Sequence, residues 1–515
     1  MNFLWPIRNE SYKKGLLLSV VFNIIAKAIL FILTICIAGL FGSNIKTDIY
    51  FFVFGSMVLL SGFINNIDTM VLIPESMRLR EKEGDIVAMA FLNYFFRLYI
   101  LAGIVFIAGI FLLGTKLLGY VSRFSATDII TYKNYFLIGS FYFLFLVLTN
   151  YINNILTSLK FFTIPMIISG FNSFMVIAGI FLLHRKYDME SVFISGVAAY
   201  LLNLVILVLV MKKIVQWNFY TRAPGIRKKL WNNIAWTEAG QMVTLAGSFF
   251  PLFLLSGFGK GVISVMNYGK NIADIPNTIF TAQLASVSGI KLNEQFARND
   301  RSGMNENFLK IAKLLVFILV PASCFMWVFA VPVVELFYKH GNFNDSSVLE
   351  AARFLQLLSL TIFSVGVNAI VTRLFIATQS IRQAFLYQVG MNLFLIGAIW
   401  VFSEFYGAYG YPYGTITMNI LNYFMMYFIC RKLSIPVTYS PLFKYTLIII
   451  LVNTIIAAIL YFISPFIRIS TAINLICFFI LYLTVLLGIN KKFKLNKELR
   501  QATRLLGNYF ISSAA

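Results

Sequence analysis

The chain predicts an all-α integral membrane protein: about fourteen transmembrane helices, arranged as two six-helix pseudo-repeat lobes plus two C-terminal helices. Three observations carry this. Of 515 residues, 59% are hydrophobic and 12% charged, against about 25% charged in soluble domains. Mean hydropathy is +0.82, and apolar runs close to the ~20 residues that span a bilayer recur along the sequence. The 53 Phe and 26 Tyr suit a large lipid-facing surface edged by aromatic belts.

Taken in order, the apolar runs place spans at 15–41, 48–73, 87–114, 134–158, 161–183 and 190–211. Further spans follow at 232–257, 262–289, 310–337, 350–375, 382–403 and 407–430, then at 441–463 and 470–489. Loops such as "RLREKEGD", "KKIVQWNFYTRAPGIRKK" and "KKFKLNKELRQATR" concentrate Lys and Arg on one side. That side holds a roughly threefold excess, which puts both termini in the cytoplasm. The loops "MRLREKEGD" and "KLNEQFARNDRSG" occupy equivalent places in two sets of six spans. Element order thus suggests duplication: a lobe at 1–215, a second at 216–435, and two added helices with a basic cytoplasmic tail at 436–515.

The composition also excludes function classes. A net charge of +22 would suggest nucleic acid in a soluble protein; here the positive-inside distribution accounts for it, and no nucleic-acid partner is expected. Cys36, Cys324, Cys430 and Cys477 lie in or at the ends of apolar segments without zinc or CxxC spacing. His184 and His340 fall in loops, too isolated for a catalytic or metal constellation. The first apolar run is too long for a cleaved signal peptide. No phosphate-binding loop or nucleotide fingerprint occurs, so no cofactor is expected and an enzyme is not predicted. Transport energy would come from a cation gradient, the membrane potential or removal of product.

Charge within a span costs about 2.5–3.5 kcal/mol on insertion scales, so each polar position needs a reason. In the eighth span Asn267, Lys270, Asn271, Asp274, Thr278 and Thr281 recur at three- and four-residue steps, one helical face. Lys270 and Asp274 can pair at i, i+4. The seventh span carries Thr237, Gln241, Thr244 and Ser248 with Glu238 beside them. The second carries Ser61, Asn65, Asp68 and Thr69, with Asp48 at its outer start, and the first has Asn23 and Lys27. Under the duplication these are equivalent helices in both lobes, which points to a central polar cavity. Asn150, Asn153 and Asn154 read as helix–helix hydrogen bonds. Arg97 and Arg373 read as snorkelling cations, and Pro276, Pro321 and Pro332 as kinks.

Several segments resemble the MurJ/MviN family. These are "GLFGSNIKTDIYFFVF" at 39–54, "YGKNIADIP" at 268–276, "ELFYKHGNFNDSS" at 335–347 and "VTRLFIATQSIRQAF", in order along most of the chain. The resemblance implies a multidrug/oligosaccharidyl-lipid/polysaccharide exporter fold and a flippase in the bacterial plasma (inner) membrane. Its cargo would be lipid II or another undecaprenyl-diphosphate-linked saccharide, with membrane lipids and envelope-biosynthesis proteins as further partners. It implies a cationic cavity for diphosphate and sugars, with Lys27 where the family has a cavity arginine and Asp48 in its Thr–Asp pair. Leu33, Ser61 and Asn271 stand where further arginines are expected, Lys270 restoring one charge, so the cavity is less basic than the family pattern.

Substrate-binding candidates are therefore Lys27, Lys270, Asn271, Asn23, Ser61, Asn65 and Gln241; Asp48, Asp68, Glu238 and Asp274 are candidates for charge pairing or ion coupling. Three rival readings remain at this stage. An O-antigen or exopolysaccharide repeat-unit flippase shares the carrier lipid. A MATE-like cation or drug exporter predicts twelve spans and an acidic, aromatic cavity. A non-transporting envelope scaffold predicts no effect of neutralising the polar faces.

Overall fold

The computed structural model describes residues 12–221, 228–378, 381–432, 437–464, 471–493 and 495–496. Two compact units emerge, 1–264 and 265–515. Among the described residues all regular structure is helical.

The first unit holds α1 (Tyr12–Phe41), α2 (Ile45–Ile67), a π-helical segment (Asp68–Leu72), α3 (Ile73–Glu83) and α4 (Asp85–Val121). It continues with α5 (Ala126–Thr131), α6 (Lys133–Ser158), α7 (Thr163–Tyr187), α8 (Glu190–Lys213) and α9 (Lys228–Leu255). The start of α2 is set by its own sequence. Asn44 Oδ1 accepts from the Lys46 and Thr47 amides at 2.9 and 3.3 Å, and Thr47 Oγ1 accepts from the Asn44 amide at 2.8 Å. This reciprocal cap satisfies donors the first turn leaves open. A single residue, Gly84 at φ +93°, turns α3 into α4; a side chain there would be strained. α6 packs against α2, α4 and α8, and α9 against α2 and the π segment.

The second unit's helices are α10 (Val262–Pro276), a π segment (Asn277–Thr281), α11 (Ala282–Ala297), α12 (Arg301–Val328), α13 (Ala330–Tyr338) and α14 (Asp345–Ser359). Then come α15 (Ile362–Ala377), α16 (Ile381–Tyr406), α17 (Gly410–Lys432), α18 (Ser440–Ile463) and α19 (Thr471–Phe493). α10 begins at the boundary, its first three residues counted with the first unit. The C-terminal helices are fixed to their unit by polar and aromatic contacts. Tyr423 and Thr446 hydroxyls lie 2.6 Å apart, the Tyr482 hydroxyl donates to Asn453 Oδ1 at 2.8 Å, and Phe329 stacks on Phe478 at 5.4 Å.

Both π segments adjoin a proline: Pro74 follows the first and Pro276 precedes the second. Each proline removes one i→i−4 donor, and the backbone widens to the i→i+5 pattern beside it. Pro321 and Pro251 lie inside α12 and α9, while Pro332 sits in the first turn of α13, after the break at Phe329.

Outward-facing apolar side chains such as Leu182, Leu112, Phe111 and Phe462 are more than two-thirds exposed, as expected where lipid replaces water. Among the described residues 11 helices are long and apolar enough to cross a membrane, or 12 with the bent pair α14–α15, angled 43°, as one span. The expected count of about fourteen is not reproduced on that criterion. Two features account for the difference. α10–α11 carries Lys270, Asp274, Lys291 and Glu294 and is too polar to qualify. The stretch Phe385–Arg431 counts once, although α16 and α17 pack against each other as a hairpin about Gly407 at φ +56°.

Candidate functional site

A cavity of about 580 Å³ opens within the first unit, walled by α1, α2, α6, α7 and α8. Lys27 reaches it from α1, Ser61 and Asn65 from α2, and Asn150, Asn153 and Asn154 from α6. Spacing explains the set: Ser61 and Asn65 are one turn apart, as are Asn150 and Asn154, so two helices pair rung by rung. Asn150 Nδ2 donates to Ser61 Oγ at 3.1 Å, and Asn154 Nδ2 to Asn65 Oδ1 at 2.7 Å. Asn153 Oδ1 is buried with no hydrogen-bond partner. Asn172, which accepts from Asn203 at 2.9 Å, adds an amide from α7, and Tyr50, Tyr142 and Tyr200 supply ring faces. Among the described lining residues Lys27 is the only cation and there is no carboxylate. The wall offers one positive charge, several amides and aromatic faces: chemistry for a ligand with anionic and hydroxyl-rich parts.

The acidic candidates divide. Asp48 is fully buried and does not line the cavity. Its carboxylate accepts from the Gly261 amide at 2.5 Å, from the Ser264 amide at 2.8 Å and from the Ser264 hydroxyl. It therefore fastens the start of α2 to the first turn of α10, where aligned amides favour an anion. Asp68 is 1% exposed and accepts from the Tyr99 hydroxyl at 2.6 Å; Asn154 Nδ2 stands 3.5 Å from its other oxygen. Glu238, from α9, is 7% exposed, and neither carboxyl oxygen has a hydrogen-bond partner.

In the second unit Lys270 Nζ donates to Asp274 Oδ2 at 2.5 Å. The pair lines a pocket of about 140 Å³ with Asn277, Thr361, Tyr411 and Thr415. Asn277 donates to the Ile362 carbonyl at 3.1 Å and accepts from the Thr281 hydroxyl at 2.7 Å. Both members of the ion pair are about half exposed, 42% and 52%, so either can turn to a ligand.

The remaining candidates lie elsewhere. Asn271 is half-buried and does not line that pocket, and Gln241 on α9 is half-buried outside the first unit's cavity. Leu33 is buried and lines the cavity as an apolar patch. Asn23 lies on α1, but its side chain is outside the described residues. Sequence reasoning gave Asn150, Asn153 and Asn154 to helix contacts alone; the structure shows that two of them make such contacts and all three also face the cavity. Their i, i+3 and i+4 spacing was the available signal. Arg97 does not merely reach toward the interface: it donates to the carbonyls of Phe219 and Thr221 at 2.8 and 3.1 Å.

A sequence profile for the lipid II flippase MurJ matches residues 37–484. The chain belongs to the MurJ family. A probable lipid II flippase MurJ from Buchnera aphidicola is 24% identical over 74% of this chain and 75% of its own length. Another, from Borreliella burgdorferi, is 22% identical over 88% and 92%. Among solved structures, a lipid II flippase MurJ in an inward closed conformation superposes with a TM-score of 0.76 at 19% identity, over 93% of this chain and 99% of that one. An inward-facing MATE multidrug transporter gives 0.65 at 12% identity, over 82% and 96%. The fold is thus that of MurJ and of the wider exporter superfamily.

Within the MurJ family frame, the recognised segments are structural as much as chemical. Tyr268 of "YGKNIADIP" is fully buried, its ring 4.9 Å from Tyr338 and 5.3 Å from Phe343, both in the "ELFYKHGNF" stretch. A Cβ on the adjacent Gly269 would stand 2.6 Å from the Ala351 carbonyl oxygen, so α10 meets α14 there through a bare backbone.

Proposed function

We propose that this MurJ-family protein carries an undecaprenyl-diphosphate-linked saccharide, lipid II foremost, from the inner to the outer leaflet of the bacterial plasma membrane by alternating access. The observation that supports it most directly is the first unit's cavity, with Lys27 facing a wall of asparagines. A diphosphate and its sugars cannot cross hydrocarbon unaided, because unpaired polar groups there cost several kcal/mol each. Lys27 would neutralise phosphate, while Asn65, Asn150 and Asn153 exchange hydrogen bonds with hydroxyl and amide groups. Lys270 is the second phosphate candidate, released from Asp274 on binding. No bond in the cargo is made or broken in this cycle, so the protein acts as a transporter and not as a catalyst. Positive-inside loops favour cytoplasmic termini.

A single cation among the described lining residues also suits other saccharides on the same carrier, which makes an exopolysaccharide repeat unit the second reading. The test is reconstitution of the full chain in vesicles with fluorescent lipid II or a labelled repeat unit, reading outer-leaflet appearance. Lys27→Ala together with Lys270→Ala should slow translocation at least tenfold. Unaltered translocation by the double variant would remove the diphosphate role of both lysines, and movement of the repeat unit alone would reassign the cargo.

A further inference from the structure

The four acidic candidates are not equally provided for. Asp48 has three donors, Asp274 has Lys270, and Asp68 has the Tyr99 hydroxyl with an amide behind it. Glu238 has none, although it is more than nine-tenths buried. It is near enough to Asp68 and Tyr99 to act on both electrostatically. The helix that carries it, α9, packs on α2 and on the π segment that Asp68 begins.

Among the described residues, other charged and titratable groups of the neighbouring helices are committed or neutral. Arg97, on the same helix as Tyr99, is turned to the carbonyls of Phe219 and Thr221. Arg78 of α3 is paired with Glu75. Tyr151 of α6 donates to the Leu92 carbonyl at 2.7 Å. Lys27 lines the neighbouring cavity and, among the described residues, forms no ion pair with either carboxylate. A buried carboxylate with neither donor nor cation is strongly disfavoured as an anion, and two adjacent ones more so.

We propose that Asp68 and Glu238 form a proton-binding site in which Glu238 takes up and releases one proton, and that this proton controls the seating of α9 on the Asp68–Leu72 π segment. The inference rests on the reading of the chain as a transporter. In the step, hydronium gives its proton to a Glu238 carboxylate oxygen, leaving water and a neutral acid; release returns the proton to water. Asn154 bonds to Asn65 at 2.7 Å and reaches Asp68, and both asparagines line the cavity, which gives the pair a polar connection to it. With the proton on, α9 rests against the segment without like-charge repulsion. With it off, two negative carboxylates lie within electrostatic range of each other beside a stretch whose backbone already departs from α-helical bonding, and α9 separates there. Such π turns are frequent at functional sites and where helices kink.

The test uses the full chain in lipid nanodiscs and pH-difference infrared spectroscopy of carboxyl groups. A protonated-carboxyl band should persist at a pH where exposed glutamates are ionised, vanish in Glu238→Gln, persist in Glu238→Asp and shift in Asp68→Asn. Translocation in vesicles should vary severalfold with internal pH in the wild type and lose that dependence in Glu238→Gln. A band that survives in Glu238→Gln would overturn the proposal. So would one abolished at constant pH by sodium in place of an organic cation, which would make the site a sodium site. Should Glu238→Gln misfold, Glu238→Asp and Asp68→Asn still decide it, since an unchanged band in both would refute the pairing. The infrared readout needs no cargo, so failure to move lipid II would end the proposed function and leave this result standing.

Discussion

Asp48 illustrates how a side chain can be readable and its purpose hidden. Its place at the start of a span marks it as expensive, and its Thr–Asp pair lies in a segment that resembles the family. Its partners, the backbone amides of Gly261 and Ser264, carry no residue signature more than 200 positions away. Asp48→Ala should therefore lower stability by about 2 kcal/mol, the cost of stranding donors to a charged acceptor, while Asp48→Asn keeps part of the grip. Thermal unfolding of the detergent-solubilised protein measures it, with an unchanged midpoint counting against the clasp. Lys27 poses the opposite case: exposed, and free of any described ion pair. Lys27→Arg should retain translocation and Lys27→Ala lose most of it, because position and charge matter more here than the flexible stem. The asparagines of α6 were legible as a polar stripe; that one stripe could both bind a helix and face a cavity was not, since spacing alone does not reveal how wide a groove is.

At the scale of elements, long apolar helices were plain in the sequence because hydropathy reports them directly. Less visible were α3, α5, α13 and α14, too short to span, and the two π segments, for which prolines gave only a hint of a kink. Close helix contacts were also silent, since a glycine in a span has many causes. The structure separates them. A Cβ at Gly414 would lie 2.7 Å from the Ile399 amide nitrogen, and one at Gly269 2.6 Å from the Ala351 carbonyl oxygen. Either residue changed to Ala should destabilise the protein by about 1–3 kcal/mol through forced separation of helices. Gly170 and Gly397 have nothing within 4 Å, so the same change there should be neutral or stabilise by about 0.5–1 kcal/mol through helix propensity. A set of four variants compared by unfolding midpoint would test this; equal effects at all four positions would contradict the packing read here.

For the molecule as a whole, charge asymmetry and apolar content were enough to assign a multi-pass membrane protein, and the structure and the family match agree. The number of spans was harder to fix, because a helix such as α10–α11 carries polar residues that a transporter uses and a hydropathy criterion rejects. Orientation makes its own prediction. A phosphatase inserted in the 339–343 loop should be active outside the cell and one at 298–300 inactive, with a fluorescent protein on the C-terminus bright. The reverse pattern would turn the topology over, and with it the direction of entry into the Lys27 cavity.

The two π segments, Asp68–Leu72 and Asn277–Thr281, bear on ancestry. A π turn is how an α-helix stores one surplus residue. The same surplus stands in the second and eighth spans, each ahead of a loop rich in charge. If the halves descend from one gene, the extra residue was already present before the gene doubled and has been kept in both copies. Removing one residue from each segment would then restore a helix older than the duplication, with every side chain beyond it turned by about 100°.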